Sequence, residues 1–201
     1  MKNSFFYKLC AMSMLLLGAM TFTVQSCDTK DKSTDTEKVA EKANEEKFDN
    51  ATTGVESEVK KEDSDFLMSI AETDMKEVEL GKLAQKSTRS DVQAVATMMV
   101  ETHSQTARDI KAIAVNKGIS IPKTATEDIK EEVADFNEKP ATDFDKAYAD
   151  NLVAEHEEVI KKFEDYVKEG TDADIKSWAE KMLPTLKNHL EHAKVIQARV
   201  S

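Results

Sequence analysis

Four stretches of this chain return apolar residues at alternating steps of three and four, and each stretch runs for more than twenty residues. That spacing marks a helix with one buried face, and its length exceeds what a strand sustains. The stretches cover residues 64–86, 90–116, 142–168 and 172–199. The chain holds only 5 glycines and 3 prolines in 201 residues, so the many turns of a β-sandwich or a doubly wound sheet are not available. The expected fold is all-α: a four-helix bundle over residues 63–201 whose inner faces pack as the a/d seams of a coiled bundle do.

Punctuation agrees with the period. Gly118 stands where a C-cap belongs, with Pro122 shortly after, and Gly170 closes the third stretch. Pro184 removes the hydrogen bond to the Glu180 carbonyl, which predicts a bend before His189. The longest connection, residues 118–141, lies between helices 2 and 3, where Ile129, Val133 and Phe136 mark a short extra helix over 126–137. A crossover along the bundle and a detour between antiparallel neighbours both fit it.

The amino-terminal part follows other rules. Lys2 and Lys8 precede an apolar run from Leu9 to Val24, shorter than the roughly 20 residues of a spanning helix, as in a signal peptide over residues 1–26. The run ends in Val24-Gln25-Ser26-Cys27, which resembles the lipobox of bacterial lipoproteins and makes Cys27 the expected lipidation site. Multiple acyl chains would anchor such a protein stably. About half of residues 28–62 are charged, and large apolar residues are nearly absent, so this segment is expected to be a disordered tether behind the lipidated cysteine. Within it, residues 36–48 have helix-forming composition but no apolar stripe that would fix them to a core. The net charge of −11 opposes nucleic-acid binding, and two cysteines give neither a disulfide framework nor a cysteine zinc site.

The inner faces carry chemistry at one depth. They are apolar or small, threonines aside, except for Glu77, His103, His156 and His189, each near the middle of its own helix. Because all four lie near midpoints, they share a layer whichever way neighbouring helices run. Buried polar groups cost several kcal/mol each when left unpaired, so the layer needs a partner. Two solutions fit: one transition metal ion held by neutral imidazoles and a carboxylate, or a closed hydrogen-bond network in which Glu77 pairs with a protonated histidine. Thr73, Thr106 and His192 are candidate supports at one turn's distance, and Tyr148 and Asp145 are candidate hydrogen-bonding groups toward one end. Gly81, one turn after Glu77, offers either close helix approach or access for a metal, with packing the plainer role.

Several segments resemble the bacterial family known as domain of unknown function 4142. They are Asp65-Phe66, Met75 through Ala84, Met99-Val100-Glu101-Thr102-His103, Phe144 through Tyr148, His156, and Leu183 through Leu190. The family more often has Asp where Thr102 stands. The resemblance covers roughly residues 65–200 and implies a ferritin-like four-helix bundle in a secreted or lipid-anchored protein, with no established reaction. Di-iron ferritin-like proteins carry Glu-x-x-His in two helices; here Val100 and Leu186 occupy the glutamate positions, so that chemistry is not expected.

The sequence therefore points to a lipid-anchored protein of the bacterial cell envelope, with the outer membrane favoured over the inner. Its interior is a candidate metal site of Glu77, His103, His156 and His189. The rival is a structural or stress-related interaction module whose polar layer is a hydrogen-bond network. Binding is favoured over catalysis, since no serine elbow or free cysteine is present. Membrane contact is expected through the lipid, with protein partners unknown and monomer and homodimer both open.

Overall fold

A computed structural model describes residues 36–49 and 54–201. Its described residues form six helices and no strand: α1 (Thr36–Phe48), α2 (Gly54–Ala84), α3 (Ser90–Lys117), α4 (Glu127–Asn137), α5 (Ala141–Glu169) and α6 (Ala173–Val200). The four periodic stretches are α2, α3, α5 and α6, and the extra helix of the long connection is α4. The signal segment and Cys27 lie outside the described residues.

The long helices pair as two hairpins, α2 with α3 and α5 with α6, each packed more extensively within itself than against the other. Two apolar clusters give their directions. One joins Phe66, Ile70, Ile110, Ile119, Phe163 and Ile175; the other joins Leu80, Val92, Phe136, Tyr148, Leu152 and Ile196. The end of α3 therefore meets the end of α5, and the start of α3 meets the start of α5, so these two helices run parallel. The connection between them is a crossover along the bundle: Ile119 belongs to one end cluster and Phe136 to the other.

Local chemistry fixes the ends. Gly118 adopts φ 70°, the left-handed conformation that spares glycine a Cβ clash, and its N–H closes the last turn of α3. The Asp172 carboxylate accepts from the Asp174 and Ile175 amides at the start of α6. Lys117 then bridges Asp172 and Asp174, tying the end of α3 to the start of α6. The helix α6 runs through Pro184.

The expected tether is corrected for residues 36–48 and for 54–62. The first of these form α1, and the second belong to α2, which starts ten residues ahead of the periodic stretch. Ala40, Asn44 and Phe48 recur every four residues and are all buried. The middle member is polar, which hides the stripe from an apolar count. Asn44 replaces a hydrophobic contact with a reciprocal pair: its amide donates to the Ser120 carbonyl at 2.9 Å and its carbonyl accepts from the Ser120 N–H at 2.7 Å. Thr36 donates to the Thr124 carbonyl and Lys47 to the Gly118 carbonyl, so α1 is stitched along the start of the crossover. This lets a charged helix hold its place with only two apolar anchors.

Gly81 serves helix approach. A Cβ there would stand 2.7 Å from Val100 Cγ2 and 3.3 Å from the Ala96 carbonyl oxygen. Val100 is β-branched and stiff at χ1, so it yields poorly. Gly81→Ala is expected to lower stability by about 1 kcal/mol in urea unfolding, strain outweighing the gain of about 1 kcal/mol in helix propensity. A more stable variant would show that α2 and α3 separate freely there.

Candidate metal centre

The layer between the two apolar clusters takes side chains from every long helix. Asp74 and Glu77 come from α2, His103 from α3, His156 from α5 and His189 from α6, and all five are buried. Helical spacing explains the position. Ile70, Ile110, Val159 and Leu186 lie on one side of the layer, and Leu80, Met99, Leu152 and Ala193 on the other. Each polar residue thus sits within about two turns of apolar neighbours on its own face.

The three histidines converge. Each offers a ligand atom, and these atoms all lie within 4.8 Å of one another. Ring centroids are 5.4–5.6 Å apart. His156 Nε2 is 3.3 Å from His189 Nδ1; two nitrogens each about 2.0–2.1 Å from a tetrahedral ion stand about 3.4 Å apart. Backbone and carboxylate orient two of the rings. His156 Nδ1 donates to the Leu152 carbonyl at 2.9 Å, which leaves Nε2 as the lone pair of the neutral ring. His103 Nδ1 lies 2.7 Å from Asp74 Oδ1, the carboxylate–histidine arrangement that supports metal ligands.

Burial sets the protonation states. It lowers His103 and His156 to about 4 and His189 to about 3, with neighbouring histidine charge lowering the latter two further. All three rings are neutral near pH 7, the form a metal ion requires. Burial raises Asp74 well above the usual carboxylate range, with Asp109 adding to it. It raises Glu77 likewise, with the Glu155 charge and a hydrogen bond from that carboxyl contributing. By strict geometry both Glu77 oxygens, His103 Nε2, Asp74 Oδ2, Glu155 Oε2 and the Tyr148 hydroxyl are buried without a partner. A carboxyl pair bonds only when it shares a proton, so the Glu77–Glu155 contact belongs to the protonated state and leaves ionised Glu77 bare.

Glu77 stands beside the convergent set, with Oε1 at 3.8 Å from His156 Nδ1. Thr73 and Thr106 donate to their own helices, at Ser69 and Thr102 carbonyls. Both also line a cavity of about 10 Å³ with Asp74, His103 and His189, about the room of one water. His192 is exposed. At the end of the bundle Asp145 accepts from Ser87, while Tyr148 lies deep in the core, near enough to feel the Glu77 charge. Asp74 and Glu155 are not singled out by the sequence pattern. Asp74 lies three residues before Glu77 and so shares its face, but the neighbouring Thr73 fills the stripe equally well. Glu155 lies beside His156 on the flank of its helix.

Such an architecture is a helical bundle with a buried three-histidine cluster that a metal ion would fit. Residues 48–196 match the family described as a domain of unknown function (DUF4142), and the chain belongs to that family. No curated protein and no solved structure matches it.

Proposed function

We propose that this protein binds one transition metal ion inside a ferritin-like four-helix bundle and is carried on the bacterial cell envelope by a lipid at Cys27. The observation that carries the metal reading is the convergence of three buried, neutral imidazoles from three helices. Imidazole nitrogens suit Zn, Cu, Fe and Ni. Glu77, beside His156, is the carboxylate that would complete the set, and Asp74 orients the His103 ring. Two hairpins joined by a full-length crossover support the ferritin-like arrangement. The apolar run before Ser26-Cys27 supports the anchor; among the described residues no helix is long and apolar enough to cross a membrane.

The contacts within each hairpin, Asp74 with His103 and His156 with His189, favour a second reading in which the layer only holds helix register. A closed network must satisfy its members, and bare atoms on Glu77 and His103 weigh against it.

Elemental analysis of protein purified without a histidine tag and loaded with each metal in turn decides between the readings. One ion per chain is expected, lost in His103→Ala and in His189→Ala. No bound metal under any loading would overturn the proposal.

A further inference from the structure

Thr73 lines both the small cavity beside His103 and His189 and a surface groove rich in carboxylates. This polar groove of about 310 Å³ runs between α2, α4 and α5, lined among others by Glu72, Asp128, Glu132, Glu155 and Glu158. From it a line of acids leads inward with falling exposure: the side chain of Glu132 is 36% exposed, Glu155 17% and Glu77 0%. Glu77 ends the line beside His156. At the middle of the line sits a cation the chain supplies itself. The Lys76 ammonium pairs with Glu155, and with Glu132 at 3.0 Å. Glu155 pairs outward with Lys76, and its charge also reaches inward to Glu77.

Acidic grooves on a protein of net charge −11 are ordinary. The distinguishing feature is Glu77: wholly buried, with both oxygens lacking a partner, next to a carboxyl that reaches the groove. The Lys76 charge reaches Glu77, but that ammonium pairs with Glu155 and Glu132 and not with Glu77 itself. The small cavity at the cluster is walled by Ile70, Val159, Phe163, Met182 and Leu186 as well as by Asp74 and threonines, and at about 10 Å³ it has no room for a hydrated ion.

We propose that Glu132, Glu155 and Glu77 form a carboxylate transit site for a divalent cation on its way to the three histidines, with the Lys76 ammonium holding the place until the cation arrives. This rests on the metal-centre reading. Oxygen ligands exchange with water on a hard or borderline ion, and the imidazoles then take it in a drier setting. Lys76 swings out toward solvent as the ion displaces it, which its flexible stem allows.

Cobalt(II) loading of the tag-free protein, followed by stopped-flow visible absorption, tests the proposal, with removal by excess chelator measured in parallel. Glu155→Gln is expected to slow loading and removal together by about tenfold or more, with cobalt stoichiometry and affinity nearly unchanged. Glu132→Gln, farther out and safe for folding, is expected to slow both several-fold, and Lys76→Gln to hasten loading. Asp109→Asn removes a charge near Asp74 on another flank and is expected to leave the rate within twofold. If wild-type protein takes up no cobalt, the metal-centre reading fails and the transit site with it. If wild-type protein loads while Glu155→Gln and Glu132→Gln load equally fast, or Asp109→Asn is slowed as much as they are, the transit site alone is overturned.

Discussion

In the metal-free protein the three buried histidines are expected to withdraw several kcal/mol of stability as pH falls from about 6.5 to 4. The unfolded chain protonates its histidines near 6.5, whereas the folded chain holds His103 and His156 at about 4 and His189 at about 3. Between those values the unfolded state binds more protons at these three rings, so their contribution rises with pH and is lost as pH falls. The raised carboxyls of Asp74 and Glu77 work in the opposite direction and offset part of it. Every tenfold difference in proton affinity between the folded and unfolded chain is worth about 1.4 kcal/mol, and three rings act together against a total of about 5–15 kcal/mol for a domain. Urea midpoints measured from pH 7 to 4.5 should fall further in wild type than in His156→Leu. A His156→Leu midpoint that falls as much as the wild-type one or more would mean that His156 is charged and paired in the folded state, contrary to what its burial requires.

Glu77→Gln is expected to act oppositely on stability and on metal. The carboxyl is raised far above its ordinary value by burial and by Glu155. Its folded form therefore holds a proton that the unfolded chain releases near 4.3, and the stability this gives declines as pH climbs toward the folded value. At pH 8 the amide removes that cost, and the metal-free variant should be more stable than wild type by about 1–3 kcal/mol. Its affinity for zinc should fall about 10–100-fold. A Glu77 paired with a protonated histidine in a closed network predicts the reverse at pH 8, a clear loss of stability. Chemical unfolding and competition with a zinc chelator on the same samples separate the two.

Much of the bundle is written in its period. The faces through Phe66 and Ile70, Met99 and Ile110, Leu152 and Phe163, and Ile175 and Leu186 all turn inward where their spacing puts them, and the three histidines travel with them. Depth is legible for the same reason: residues near the middle of long helices meet whether their neighbours run parallel or antiparallel. What the period does not carry is the identity of neighbours across helices. Asp74 and Thr73 compete for one inward position, and only the rotation of α2 against α3 selects the carboxylate for His103. Helix α1 is hidden because Asn44 does by hydrogen bonding what an apolar residue would do by burial. The path of the crossover cannot be read from its own residues, since it depends on which ends of α3 and α5 meet.

The tightest pairs of the polar layer each stay within one hairpin, Asp74 with His103 across α2 and α3 and His156 with His189 across α5 and α6, while Glu77 beside His156 reaches from one hairpin to the other. The protein is thus a book of two leaves, with the 118–140 connection as its spine. An ion held by His103 on one leaf and by His156 and His189 on the other is a rivet through both. Metal content would then govern how readily the leaves part, and amide exchange along their facing sides would gauge occupancy with no knowledge of any reaction.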